Sequence, residues 1–149
     1  MGETPRVSSL VRGRGEGEMR DARWCFVCGP QNPLGLRLTF RAEGEEVQAV
    51  FVPGPHHVGY DGVVHGGILA AVLDDAMANL YFLRGEEALT TRMEVRFRRE
   101  GRPGEPLSIT AREVGRRGQF AKARAVATNT RGEVVAEAEG TFLCRSGER

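Results

Sequence analysis

The stretch from Asp61 to Asp75 gathers the residues best suited to chemistry: Asp61-Gly62-Val63-Val64-His65-Gly66-Gly67, then an apolar run holding Asp74 beside Asp75. Gly66-Gly67 at a helix start leaves backbone N–H groups unpaired and unscreened by side chains. The helix dipole favours negative charge there. A carbonyl oxygen brought to those amides gains stabilisation as it becomes negative. The plainer use of the same glycines is a tight turn into the helix, and spacing alone does not separate the two. Asp74 and Asp75 fall mid-helix among apolar residues. A carboxylate there is costly unless it is paired or used. Burial raises its pKa, which makes it a better base near neutral pH. Neighbours on a helix point roughly 100° apart, so only one of the two can face a given cavity. The other is expected at a sheet edge, a partner subunit or water.

Other groups give weaker signals. Cys25 and Cys28 have zinc-like spacing. No second Cys-x-x-Cys pair exists, and only Cys144, His56 and His57 could complete four ligands. A packed loop with reduced thiols is the expectation; structural zinc and a surface disulfide stay open as alternatives. His56-His57 lack ligand spacing. Trp24 with Phe26 reads as an anchor for the N-terminal arm. Arg96, Arg98, Arg99, Arg102, Arg116 and Arg117 suit phosphate contacts, or equally a solvated strand face.

The elements that must position these groups follow from periodicity. Residues 1–20 are Gly- and charge-rich and read as a loose arm, followed by one domain over 21–145. Trp24–Leu36 is a loop, broken by Pro30, Pro33, Gly29 and Gly35. Leu34, Leu36, Leu38 and Phe40 alternate as a strand, Gly44 marks a turn, and Val47, Ala49 and Phe51 alternate as its hairpin partner. The period then changes, and Gly66–Leu83 reads as a helix, apolar almost all round and therefore buried on most sides. Its four alanines permit close approach of a sheet, and Gly85 fits its stop. Four strands follow: one around Met93-Val95-Phe97, one around Leu107-Ile109-Ala111, then Phe120–Thr128 and Val134–Leu143, the last two joined by a tight turn at Arg131-Gly132. Two strands, one long helix and four strands make an α+β domain, an antiparallel sheet of about six strands wrapped round one central helix: the hotdog arrangement.

Bulk properties narrow the function. The chain has 149 residues and a formal net charge of +1, so no global charge steers it to nucleic acid or an anionic membrane. No run approaches the ~18 apolar residues of a membrane span, and no signal-peptide pattern opens the chain. A cytoplasmic location is the default expectation. Three cysteines do not suggest a disulfide scaffold.

Val64-His65-Gly66-Gly67, six mostly apolar helical residues and then Asp resembles the hotdog thioesterases of the phenylacetyl-CoA thioesterase type, over about residues 25–143. Cys-x-x-Cys-Gly-Pro-x-Asn-Pro-x-Gly-Leu also resembles a lead-in of a subset of these proteins. In that family the Asp follows the His by nine positions, as Asp74 follows His65; Asp75 does not match. The resemblance implies Asp74 as general base or nucleophile, the Gly66 amide as oxyanion donor, and His65 as shaper of the turn or orienter of substrate. Gly67 and Asp61 fall on substrate-side positions. A Ser or Thr after the helix often holds the attacking water, and Thr90 and Thr91 are the nearest matches. Several relatives carry Asn six positions before the His, where this chain has Gly59. The implied reaction is hydrolysis of a small aryl- or short/medium-chain acyl-CoA to free acid and CoA, with no metal or redox cofactor; CoA enters only as part of the substrate. The family's site lies between subunits, which implies a homodimer or homotetramer. A catalytically silent acyl-CoA binder and a hotdog acyl-thioester dehydratase are the alternative readings. Tyr60, Met77, Tyr81, Phe82 and Met93 are candidates for the acyl pocket or for core.

Overall fold

A computed structural model describes residues 20–146. All but the last residue of the 1–20 arm therefore lies outside the described residues. The chain order is β1 (Arg41–Glu43), β2 (Glu46–Phe51), α1 (Gly66–Phe82), β3 (Glu86–Phe97), β4 (Leu107–Arg117), β5 (Phe120–Thr128) and β6 (Val134–Ser146). The six strands form one antiparallel sheet in the order β1-β2-β4-β5-β6-β3. The helix packs against β2 through β6. This is the hotdog arrangement that the pattern of elements implies.

The core is where helix meets sheet. Val72, Leu73, Ala76 and Met77 are fully buried on α1, and β5 meets them with Ala121, Ala123, Ala125 and Ala127. Period two puts all four alanines on one face, and their small side chains let the helix lie close. Each fully buried Leu or Met contributes about 1.5–3 kcal/mol of apolar transfer. Close approach is tightest over β6. A Cβ on Gly140 would sit 3.2 Å from the Met77 methyl and 3.0 Å from the Phe142 ring. The helix ends as the sequence implies: Gly85 has φ 88°, and its N–H donates to Phe82 O. The Arg131-Gly132 turn also forms, with Gly132 at φ 80° and its N–H on Asn129 O.

One strand expectation needs correction. Leu34–Phe40 is not sheet; β1 is only Arg41–Glu43. The amides of Leu36 and Leu38 donate instead to Phe26 O and Val27 O, and Arg37 turns through φ 56°. Leu38 and Phe40 still bury, but Leu34 is 81% exposed. The alternation reported burial of Leu38 and Phe40 in the core, with the backbone bonded to the loop rather than to a strand.

The strand expected around Met93-Val95-Phe97, β3, lies at a sheet edge. Its only strand partner among the described residues is β6. Much of it is exposed, including Leu89 and Phe97. Its register slips between Thr90 and Arg92, so Thr90 pairs with Phe142 and Arg92 with Thr141. That one extra residue changes which side chains point at the helix.

Candidate active site

The start of α1 is held by its own loop. His65 N–H donates to His57 O at 2.9 Å, Gly59 N–H to Val63 O at 3.0 Å, and Val64 N–H to Gly101 O at 2.9 Å. His65 is the N-cap, extended at φ −62° and ψ 132°, and its Nδ1 accepts the Gly67 N–H at 2.8 Å. Its carbonyl accepts the N–H groups of Ile68 and Leu69. His65 thus serves as a helix cap in place of the usual Ser, Thr, Asp or Asn, with the ring proton on Nε2. Three of the four first-turn amides are thereby used. The Gly66 N–H has no partner among the described residues. Phe97 of β3 covers its α-carbon, 3.4 Å from where a Cβ would sit.

This sorts the two glycines. The Gly67 amide is committed to His65, so Gly66 carries the available donor. Gly59 lies against the His65 ring, where a Cβ would sit 3.4 Å from Cδ2. Asp61 sits in an exposed turn that Val63 N–H closes on Tyr60 O, and it makes no hydrogen bond or ion pair among the described residues.

The two carboxylates part as helix geometry requires. Asp74 is half-buried and accepts a hydrogen bond from Thr90 Oγ1 at 2.7 Å. Burial pushes its pKa above the ordinary carboxylate value, and the Thr90 bond partly opposes the rise. Thr91 points elsewhere, donating to Thr141 O at 3.0 Å. The bulge explains the choice. Extending the Met93-Val95-Phe97 face backward in steps of two reaches Thr91; the slipped register brings Thr90 to the helix instead.

Asp75 is half-buried and meets the lead-in loop rather than a strand. Its Oδ1 lies 3.4 Å from Cys25 Sγ. Asn79 Nδ2 donates to its Oδ2 at 3.1 Å and its carbonyl at 2.8 Å. Sequence reasoning missed both partners. The i, i+4 spacing of Asp75 and Asn79 was a visible signal; a contact across fifty residues to Cys25 was not. His57, by contrast, is tied into its own loop, with Nδ1 accepting Gly54 N–H at 2.9 Å.

Of the acyl-pocket candidates, Met77 and Tyr81 are fully buried core, while Tyr60 is 88% exposed. Two candidate phosphate-binding arginines are held in close ion pairs, Arg98 with Glu137 at 2.6 Å and Arg116 with Glu86 at 2.8 Å, and Arg99 donates to Val134 O at 2.9 Å and lies 3.8 Å from Glu133, while Arg102 lies 3.9 Å from Glu100. Arg96 approaches Glu94 only at 3.6 Å. Arg117 makes no ion pair among the described residues.

No helix is long and apolar enough to cross a membrane, among the described residues. The chain is similar to acyl-coenzyme A thioesterase THEM5 of Mus musculus, 32% identical over 59 residues, and to that of Homo sapiens, 34% identical over 59 residues. Each match covers 40% of this chain but only 24% of the relative's length. Among solved structures, a thioesterase superfamily protein superposes with TM-score 0.76 at 24% identity, covering 81% of this chain and 60% of the other. The Escherichia coli PaaI protein from the phenylacetic acid degradation operon gives TM-score 0.68 at 21% identity, over 72% of this chain and 83% of the other. A Streptococcus mutans protein bound to acetyl CoA gives 0.69 at 20%, over 75% and 91%. These likenesses show the fold. The family model described as "Thioesterase superfamily" matches residues 61–136, just over half of the chain and the whole of the helix and its capping residue, so the chain belongs to the thioesterase superfamily.

Proposed function

We propose that the chain is an acyl-CoA thioesterase in which Asp74 activates water and the Gly66 N–H polarises the thioester carbonyl. Water attacks the carbonyl carbon as its proton passes to Asp74, and the oxygen becomes an oxyanion beside Gly66. Collapse breaks the C–S bond, and CoA leaves as the thiol once it takes a proton. Asp74 acting as nucleophile, through an anhydride that water then opens, uses the same geometry. The single observation that carries the reading is the pair of unspent groups on one helix: a carboxylate of raised pKa held by one hydroxyl, and a lone free amide at the helix start. The family supports it, as do the acyl-coenzyme A thioesterase named in two relatives and the acetyl CoA bound in one structural neighbour.

Geometry also supports a site shared by two copies. Gly66 and Asp74 lie eight residues apart on one helix, about 12 Å of rise. One thioester does not span that distance between its carbonyl oxygen and an attacking water about 3 Å away. The Gly66 of one copy and the Asp74 of another satisfy both ends. The exposed edge of β3, beside both Phe97 and Thr90, supplies the surface for such pairing. The substrate class we favour is a small aryl- or short/medium-chain acyl-CoA.

The test is thiol release from a panel of acyl- and aryl-CoA substrates, on the native protein and on Asp74→Asn. Turnover of some substrate with a loss of at least ~10²-fold in the variant upholds the reading. Absence of turnover while acyl-CoA still raises the melting temperature favours a silent binder.

A further inference from the structure

The cysteine pair that the sequence leaves without a complete ligand set acquires a third ligand in the fold. Among the described residues, Cys25 Sγ, Cys28 Sγ and an Asp75 carboxylate oxygen all lie within 4.8 Å of one another. His56, His57 and Cys144, the residues that sequence alone offered as completing ligands, are not in this group. We propose that Cys25, Cys28 and Asp75 bind a zinc ion that clamps the Cys25–Gly29 turn onto helix α1.

Three independent features of the geometry support this. The first is ligand type and reach. Zn–S bonds of ~2.3 Å and Zn–O bonds of ~2.1 Å in a tetrahedron place ligand atoms roughly 3.6–3.8 Å apart. Cys25 Sγ and Asp75 Oδ1 already stand at 3.4 Å, so closing round a cation asks for shifts of about 1 Å or less. Two thiolates with a carboxylate suit zinc rather than calcium or magnesium, which prefer all-oxygen sets.

The second is the surrounding donors. The Cys28 amide donates to Cys25 Sγ at 3.4 Å. Asn79, buried to 3% exposure, directs its Nδ2 at Cys28 Sγ at 3.8 Å and at Asp75 Oδ2 at 3.1 Å. Hydrogen bonds of this kind orient metal ligands and favour their anionic forms.

The third is the rigidity of the turn. Gly29 N–H donates to Cys25 O at 2.8 Å, and a Cβ at Gly29 would sit 2.3 Å from Cys25 N. Only glycine permits this closure. Cys28 is buried, whereas Cys25 and Asp75 are half-buried. Three protein ligands leave a fourth position, which water can fill from that half-open side. On binding, any proton on the two sulfurs leaves to solvent as the Zn–S bonds form. The ion would join positions fifty residues apart, next to the helix turn that carries Asp74. The proposal stands independently of the thioesterase reading.

The experiment uses the full chain, reduced and stripped of metal. Cobalt(II) titration monitored by thiolate-to-cobalt charge-transfer absorption, with zinc competition, reads the site directly. The native protein should take up one equivalent, and zinc should displace it and raise the melting temperature. Cys25→Ser and Cys28→Ser should abolish the charge-transfer band, Asp75→Asn should weaken binding at least tenfold, and Cys144→Ser should bind as the native protein does. Far-UV circular dichroism checks that each variant is folded, and Cys25→Ser, at a half-buried position, is the variant least exposed to a folding failure. No cobalt uptake by the native protein, or full uptake by folded Cys25→Ser, overturns the proposal.

Discussion

Asp74 and Asp75 are adjacent residues of the same charge on the same helix, yet they sit in opposite situations. Asp75 is enclosed by partners: a cysteine thiol on one oxygen, the Asn79 amide on the other. Asp74 has one partner, the Thr90 hydroxyl, and burial leaves its charge under-compensated. A rotation of roughly 100° per residue is enough to send one to a structural cluster and the other to the face that meets β3. The contrast teaches where the fold keeps unspent free energy. Of two half-buried carboxylates, the well-partnered one stabilises the fold, whereas the poorly partnered one is a stronger base at some expense of stability.

The largest effect that can break this comparison is Asp74→Asn. Thiol release should fall by ~10²–10⁴-fold, the usual range for a lost general base. Stability should move the other way. Asp74 has a folded-state pKa above its unfolded value, so its contribution to stability is fully present below the unfolded pKa and is lost as pH rises through the folded pKa. At neutral pH the charged carboxylate therefore costs stability, and the amide should melt at an equal or higher temperature. A clear fall in melting temperature would show that Asp74 is structural after all.

A second pair of variants asks whether the functional face reaches the helix start. Gly66→Pro removes the free amide at the first helical position, where proline is well tolerated, and His65 already has the extended backbone that a following proline requires. Gly66→Ala adds a Cβ against the same Phe97 ring but keeps the N–H. The proline variant should lose roughly 10²–10³-fold in kcat, about 2.7–4 kcal/mol, and the alanine variant far less. Equal losses in the two would point to the Phe97 contact rather than the amide.

Asp75→Asn should act on stability instead. It leaves Cys25 facing an amide and disturbs the Asn79 bond, a loss of about 1–3 kcal/mol in chemical denaturation. Of the two neighbouring Asp→Asn changes, only Asp75→Asn should thus lower the melting temperature. The smallest expected effect is on pH dependence. Thr90 holds the Asp74 pKa down, so Thr90→Val should move the acid limb of the kcat/KM profile to higher pH. Thr91→Val, which loses only a bond to Thr141 O, should leave that limb where it is.

Much of this was legible in the chain itself. The change from period two to helical spacing and back defined one buried helix among strands, because each element must bury one face and its side-chain period is fixed by backbone geometry. The His65-Gly66-Gly67 start and Asp74 are local in sequence, and local spacing on a helix survives into three dimensions. Three things were not legible. The Leu36 and Leu38 alternation came from burial of a segment whose amides bond to Phe26 and Val27, since a buried face looks the same whether the backbone bonds to a strand or to a loop. Thr90 rather than Thr91 reaches Asp74 because a bulge shifts the register by one, and a single slip reverses every side chain before it. Asp75 meets Cys25 across fifty positions, a contact that exists only once the lead-in segment folds back over α1. The sequence by itself determined the helix, most of the strands and the spacing of His65, Gly66 and Asp74 along the helix, because those depend on short-range periodicity. The tertiary structure alone decided which of two like neighbours faces which partner, because that depends on register and on segments far apart in the chain.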